Sequence, residues 1–324
     1  MTQPVRWGIL GASGFARAEM APAIHLAEGG LLAALATRDP ARAAPFVACY
    51  PGLRIHESYD ALLADPDIDA VYVPLPNDMH VPWTLRAAAA GKHVLCEKPI
   101  ALRADDIDRL IAARDASGKL IAEGFMVVHH PQWARVRAML ADGAVGDLRR
   151  VDGAFTFCNG DRGNIRNIAE RGGGALYDIG VYPTVTTRFA TGAEPVAIAA
   201  RAACEGGVDV LAEVRADFPG FTLQFHVGTR LAPRQEMVFH GTRGWLRLPA
   251  PFNAAVAGEA QIHWRRADGT DLVERFPTAR HYVLQIAAFN RSVRTGAAYP
   301  CPLAFSRGNQ AMLDRIFAAA GLRD

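Results

Sequence analysis

Residues 71–99 read VYVPLPNDMHVPWTLRAAAAGKHVLCEKP, and they restrict the fold more than any other stretch of the chain. Val71, Tyr72 and Val73 close an apolar run that follows an acidic turn. Pro74 and Pro76 end that strand, because proline has no amide to donate to a ladder. The spacing predicts a helix over 77–90, terminated by Gly91, and then a second short strand over 93–96. Glu97-Lys98-Pro99 follows at once. Ligands of an open parallel α/β sheet bind outside the carboxyl ends of its strands. Lys98 is placed there with the next backbone torsion locked by Pro99, so it is a candidate catalytic group.

The chain before this stretch has the same rhythm. An apolar strand over 5–10 runs into Gly11-Ala12-Ser13-Gly14-Phe15-Ala16 at the start of a helix. A dinucleotide fingerprint needs glycine for the tight turn, a small residue near the pyrophosphate, and a small residue for helix–strand packing. Gly11 and Ala16 suit the first and third roles. Ser13 holds the second, a departure from glycine that Gly14 beside it can relax, and its hydroxyl can donate to phosphate. Pro22 is expected to interrupt the helix, kinking or splitting it near Met20. The second strand, over 31–36, ends in Thr37-Arg38-Asp39. An arginine at this tip suits the 2′-phosphate of NADP, and an acidic residue suits the ribose of NAD. Asp39 precedes Pro40 and reads as the cap of the next helix, so Arg38 favours NADP, with NAD as the alternative. A short helix over 59–63, a turn at Asp65-Pro66-Asp67, an amphipathic helix over 101–117 closed by Gly118, and a strand from Leu120 complete the alternation. It predicts a doubly wound parallel sheet over residues 1–122.

From Asp147 the period changes to two. Val208, Val210, Ala212, Val214, Ala216 and Phe218 share one face, with Asp209, Glu213, Arg215 and Asp217 on the other; 221–227 and 236–240 alternate likewise. This predicts an antiparallel sheet with one covered face, in a second domain over 123–324. A helix over 132–142 and a terminal helix over 311–320 flank it. Within it, Gly172, Gly173 and Gly174 let the chain approach a ligand and enter a helix. Asp178 and Tyr182, four residues apart, are expected on one helix face.

A chain of 324 residues suggests two domains. A net charge of +2 argues against a general nucleic-acid or membrane-surface binder. The five cysteines are scattered and never form a CxxC pair, which fits a reducing compartment and gives no metal signature. There is no signal-peptide pattern at the N-terminus and no apolar run near the ~18 residues of a membrane span, so a cytoplasmic location is expected.

Pro74, Pro76, Asn77, His80, Ala87, Ala90, Gly91, Lys92, His93, Val94, Glu97, Lys98 and Pro99 together resemble a signature of the glucose-fructose oxidoreductase/inositol dehydrogenase (Gfo/Idh/MocA) family of NAD(P)-dependent oxidoreductases. GGGALYDIGVY, ending at Tyr182, resembles the family's second signature. Many members have histidine where Tyr182 stands; tyrosine is typical of the branch with dihydrodiol and NADP-linked xylose dehydrogenases. Phe125, Met126, His130, Pro131 and Gln132 resemble a run that lines the substrate pocket. The resemblance implies an N-terminal Rossmann domain and a C-terminal α+β domain with a large, mainly antiparallel open sheet. That sheet is often used to form a dimer or tetramer, and the terminal helix, about 305–320, returns towards the first domain. It implies cofactor contacts from Gly11, Ser13, Gly14, Phe15, Ala16, Thr37, Arg38, Pro74, Leu75, Pro76, Asn77, His80, Glu97 and Lys98, and substrate contacts from His130, Arg166 and Tyr182. The expected activity is hydride transfer between NADP and a secondary alcohol or hemiacetal carbon of a sugar, polyol or cyclic diol, with no metal. Tyr182 is the expected acid/base, Lys98 polarises the substrate oxygen, and Asp178 orients the lysine or a substrate hydroxyl. Lys98 as proton carrier is the alternative. A non-catalytic dinucleotide-binding sensor and an imine or biliverdin-type reductase are the competing readings.

Overall fold

The structure is a computed structural model that describes residues 3–323. In chain order the first elements are β1 (Val5–Leu10), α1 (Ala21–Leu26), β2 (Gly30–Ala36), α2 (Pro40–Cys49), β3 (Arg54–His56), α3 (Tyr59–Leu63), β4 (Ala70–Val73), α4 (Asn77–Ala89), β5 (His93–Cys96), α5 (Ala104–Ser117) and β6 (Ile121–Glu123). There follow α6 (Pro131–Ala141), β7 (Leu148–Cys158), α7 (Val181–Thr191), β8 (Ala197–Glu205), β9 (Val208–Phe218), β10 (Phe221–Gly228) and β11 (Arg230–Gly241). The last are β12 (Gly244–Leu248), β13 (Gln261–Arg266), β14 (Asp271–Arg275), α8 (His281–Thr295) and α9 (Leu303–Ala319). They form two compact units. One is the chain up to His129 together with Arg280–Arg307; the other is His130–Ala279 with the chain from Gly308 onward.

The first unit holds a six-stranded sheet in the order β3-β2-β1-β4-β5-β6, parallel throughout. This is the strand order of a Rossmann fold, with the crevice at the β1/β4 switch point. All four residues of β4 are buried, as a parallel strand covered on both faces requires. Val71, Val73, Val94, Ile107 and Leu110 share one core cluster with Ile100 and Ala101. The interruption expected near Met20 is a change of helix type: a π-helical stretch over Ala16–Met20 runs into α1, which has proline in its first turn, and the backbone stays helical at Met20 and Ala21. The helix expected from Ala101 begins at Ala104, because Arg103 is extended (φ −140°, ψ 149°) and Ile100 and Ala101 are fully buried in the core. α8 also belongs to this unit. Its Asn290 accepts the Trp7 indole N–H at 2.9 Å, and its Phe289 packs on the Trp7 ring. The expected division at 122/123, with only the terminal helix returning, therefore differs from the observed one. The returning stretch is 280–307.

The second unit holds an eight-stranded sheet in the order β14-β13-β12-β11-β7-β10-β9-β8. Every neighbouring pair is antiparallel except β7 with β10. The even-numbered residues of β9 are buried, as the alternation predicts. Asp209 is the exception on the other side: expected among the solvated residues, it is 4% exposed. Trp133 of α6 meets Phe239 of β11 edge-on at 6.1 Å and donates its indole N–H to the Pro251 carbonyl. Glu213, Arg215, Arg201 and Arg234 remain exposed on the opposite face. Among the described residues no helix is long and apolar enough to cross a membrane.

Candidate active site

Gly11 leaves β1 at φ +104°, a conformation that favours glycine, and a Cβ there would stand 3.2 Å from the Tyr59 hydroxyl and 3.3 Å from Leu75 Cδ2. Ser13 precedes the first helical residue. Its Oγ accepts the Ala16 amide at 3.0 Å, and its carbonyl accepts the Arg17 amide at 3.1 Å. Ser13 is thus the N-cap of the helix, and its own hydroxyl proton is still available to a phosphate. The first-turn amides of a helix have no acceptor within it and carry the positive end of its dipole. Nothing lies within 4 Å of where a Gly14 Cβ would be, so a diphosphate can approach these amides. Ala16 is fully buried, in keeping with its packing role, and Phe15 is exposed and meets Tyr282 edge-on at 5.5 Å. At the end of β2 the Thr37 hydroxyl accepts the Asp39 amide at 3.2 Å, and the Asp39 carboxylate accepts the Ala41 amide at 2.9 Å as the cap of α2. Arg38 is exposed and makes no hydrogen bond or ion pair among the described residues. The loop, the capped helix and the exposed guanidinium fit a dinucleotide.

Lys98 lies past β5, and its peptide bond to Pro99 is cis. The segment is held at successive groups. The Glu97 amide donates to the Val73 carbonyl at 3.1 Å. Tyr72 donates its hydroxyl to Glu97 Oε1 at 2.6 Å, while Oε2 accepts the Lys98 amide at 3.3 Å. The Pro99 carbonyl faces His80 Nδ1 at 2.7 Å. The Ile100 amide donates to Glu123 Oε1 at 2.9 Å. Burial pushes the Glu123 carboxyl up to about 7, against the pull of that amide. Burial, then the neighbouring Glu97, pushes the Tyr72 phenol well above its usual range.

His80 does not have the role expected of it. It is fully buried, and its Nε2 faces the Leu75 carbonyl at 2.7 Å. Both ring nitrogens are therefore taken up by the protein, so His80 ties the Leu75 loop to the Lys98 loop and is not a cofactor ligand. A neutral imidazole donates through one nitrogen only. Bonding both carbonyls needs a second proton, which burial opposes by lowering the ring pKa. Leu75 is nearly buried, and Pro74, Pro76 and Asn77 are half-buried around it.

In the second unit Gly174 has φ +116° and its amide donates to the Arg166 carbonyl at 2.9 Å. A Cβ on Gly173 would stand 2.6 Å from that same carbonyl oxygen. The chain then makes a π-helical turn over Leu176–Gly180 before α7. Asp178 lies in the π turn and Tyr182 in the first turn of α7, so the simple α-helical phase expected of this pair does not apply. Arg166 Nε donates to Asp178 Oδ2 at 2.7 Å, which brings together two of the expected site residues. Tyr182 is 5% exposed, and its ring packs against the stacked pair Phe155 and Phe252 at 5.4 and 5.5 Å. His130, expected to contact substrate, is instead the cap of α6. Its Nδ1 accepts the Gln132 amide at 3.2 Å, its ring is 1% exposed, and burial lowers its pKa to about 4. The sequence reading missed two residues. Glu123 carried no expected role and Asp209 was expected on the solvated side of its strand, yet each is buried against the backbone next to an expected catalytic group.

Residues 5–125 match the oxidoreductase family with an NAD-binding Rossmann fold, GFO/IDH/MocA, and residues 133–247 match the GFO/IDH/MocA C-terminal domain. An uncharacterized oxidoreductase of Rhizobium meliloti is 39% identical, over 98% of this chain and 97% of its own. The dTDP-3,4-didehydro-2,6-dideoxy-alpha-D-glucose 3-reductase of Streptomyces antibioticus is 34% identical over 98% of each chain. A 3-ketoreductase from Actinomadura kijaniata, solved in complex with NADP and TDP-benzene, has a TM-score of 0.90 at 32% identity, with 98% of each chain covered. Both halves of the sequence carry the family's pattern and its sugar-modifying relatives match it from end to end, so the chain belongs to the Gfo/Idh/MocA family of NAD(P)-dependent oxidoreductases.

Proposed function

We propose that this enzyme prefers NADP and transfers hydride between the nicotinamide and a secondary alcohol or hemiacetal carbon of a sugar, polyol or cyclic diol. The observation that carries the reading is the anchoring of Lys98: the peptide groups around it are gripped by Glu97, His80 and Glu123 at the carboxyl ends of β4 to β6. A backbone held this firmly at the carboxyl ends of the parallel strands gives Lys98 a fixed base from which its ammonium can meet a reacting oxygen. The 3-ketoreductase and the dTDP-sugar 3-reductase support a sugar carbonyl or carbinol as the reacting centre. Arg38 supports NADP. The cap role of Asp39 removes the acidic competitor for that position, and a guanidinium pairs with a phosphate dianion through charge-assisted hydrogen bonds.

The bound nicotinamide supplies or accepts the hydride, and the protein manages the proton. Oxidation of an alcohol needs a base within hydrogen-bond reach. A free phenol, with a pKa of ~10, is a weak base at neutral pH, and a nearby ammonium favours the phenolate. We assign Tyr182 as acid/base, Lys98 as the cation that polarises the substrate oxygen and favours the phenolate, and Asp178, braced by Arg166, as the group that orients a substrate hydroxyl. The exposed face of the eight-stranded sheet, with Arg201, Glu213, Arg215 and Arg234, is the proposed surface for a homo-oligomer, which light scattering in solution tests.

The activity test is a change at 340 nm with NADP(H) over a panel of dTDP-linked keto sugars, free aldoses, cyclic polyols and dihydrodiols. Turnover on a sugar with NADP favoured over NAD is the expected result. NADPH binding without turnover on any member would contradict the proposal.

A further inference from the structure

Asp209 departs from its strand. Glu213 and Arg215, on the same side of β9 by parity, are exposed, whereas Asp209 is buried. Its Oδ2 accepts the Leu176 amide at 2.7 Å, and the Ala175 amide and its own amide also turn towards the carboxylate. These donors stand at the start of the segment that carries Asp178 and Tyr182. The first helical bond of that segment runs from the Asp178 amide to the Gly174 carbonyl at 3.1 Å. The amides of Ala175 and Leu176 precede it and have no acceptor within their own helix. Gly174 completes the fit: its positive φ favours glycine, and a Cβ there would overlap Asp209 Oδ1.

We propose that Asp209 is a positioning residue for the reaction: from a fixed place on β9 its carboxylate caps the π-turn and α7, and so sets the depth and rotation of Asp178 and Tyr182. The inference rests on the roles proposed above for those two residues. An ordinary N-cap comes from the residue next to its helix. This one comes from a sheet strand 33 positions further along the chain, so it registers the segment against the sheet. A carboxylate at this end also complements the helix dipole. The titratable group facing it is Cys204 of β8, its partner in the strand register, whose thiol is pushed up by burial first and then by the charge of Asp209.

The experiment compares Asp209→Ala and Asp209→Asn in the full chain by hydrogen exchange at residues 175–177, by turnover on the best sugar of the panel, and by NADPH affinity from fluorescence titration. Asp209→Ala is expected to speed exchange at those amides and to lower kcat about 10- to 100-fold, as misplacement of a catalytic group does, with NADPH affinity unchanged. Asparagine caps helices as well as aspartate, so Asp209→Asn should restore protection and most of the turnover. Should Asp209→Ala not fold, Gly174→Ala drives the carboxylate away from the other side and should give the same two effects. Unchanged exchange in the folded variants would overturn the cap. Faster exchange with normal kcat, or failure of asparagine to rescue, would overturn the positioning role. Tyr182→Phe, run in parallel, separates the two ideas. Full activity there removes the proton assignment, while the exchange result still decides whether the cap exists.

Discussion

Arg38 is exposed at the carboxyl end of β2, and its neighbour Asp39 is committed to capping α2. In the proposed binding mode a phosphate on the ribose meets this cation, and the neighbouring carboxylate is held by the Ala41 amide. Arg38→Ala is expected to raise the Michaelis constant for NADP at least tenfold and to change that for NAD little; equal changes in both would remove this reading of Arg38. Residues whose role follows from backbone chemistry were legible in the sequence. Gly11 and Asp39 stand where a turn and a cap need them, whereas the close approach at Gly174 is to the Asp209 carboxylate and not to the ligand expected there. His80, His130 and Asp209 were misread for a common reason. A polar side chain reads as site or solvent until its partner is known, and their partners are the Leu75 and Pro99 carbonyls and the Gln132 and Leu176 amides. Such backbone partners leave no trace in residue type.

Between residue and fold, the unit that matters is the pair of loops after β4 and β5. His80 at the start of α4 joins them through two carbonyls. Replacing it with leucine keeps the volume and leaves the carbonyl that the neutral ring serves without its donor, at about 1–3 kcal/mol for a buried group. His80→Leu is expected to lower stability in urea by about 2 kcal/mol or more, and to reduce turnover further than any population of unfolded chain explains, because Lys98 loses its fixed backbone. Normal turnover in folded His80→Leu would show that the brace is structural only. The end of α4 could be read in advance, since glycine acts locally, and proline marked the place where the first helix changes type without breaking. The start of α5 could not, because Leu102 fits helical spacing while the core claims Ile100 and Ala101 and Arg103 is extended. Nor was α8 anticipated, and its place against Trp7 of β1 rests on contacts far apart in the chain.

Across the molecule, two buried carboxyls make stability depend on pH in an unusual direction. Glu123 and Asp209 are each pushed up to about 7 by burial. A carboxyl raised in the folded state binds more protons there than in the unfolded chain, so its contribution is full below the unfolded value of about 4 and is lost as pH rises through about 7. His93, His129 and His130, lowered to about 4, 3 and 4, act the other way, and their contribution is lost as pH falls below about 6.5. The difference between wild type and Glu123→Gln isolates one carboxyl. Measured by urea unfolding, the advantage of wild type over Glu123→Gln should shrink between pH 4.5 and 7.5, and a constant difference would show that Glu123 stays ionised. At this scale the doubly wound sheet and the antiparallel sheet were legible, because period and punctuation repeat over many residues; the allegiance of 280–307 depends on contacts far apart in the chain. In the proposed chemistry Tyr182 carries the proton and Lys98 supports it. The measurement that tests it most directly is turnover of Tyr182→Phe, Lys98→Met and the double variant on one sugar with saturating NADP(H). Tyr182→Phe should fall by roughly 10²–10⁴ with cofactor affinity nearly unchanged, Lys98→Met should also fall, and the double should be little worse than the poorer single. Near-normal turnover in Tyr182→Phe alongside a dead Lys98→Met would contradict the account and give the proton to Lys98.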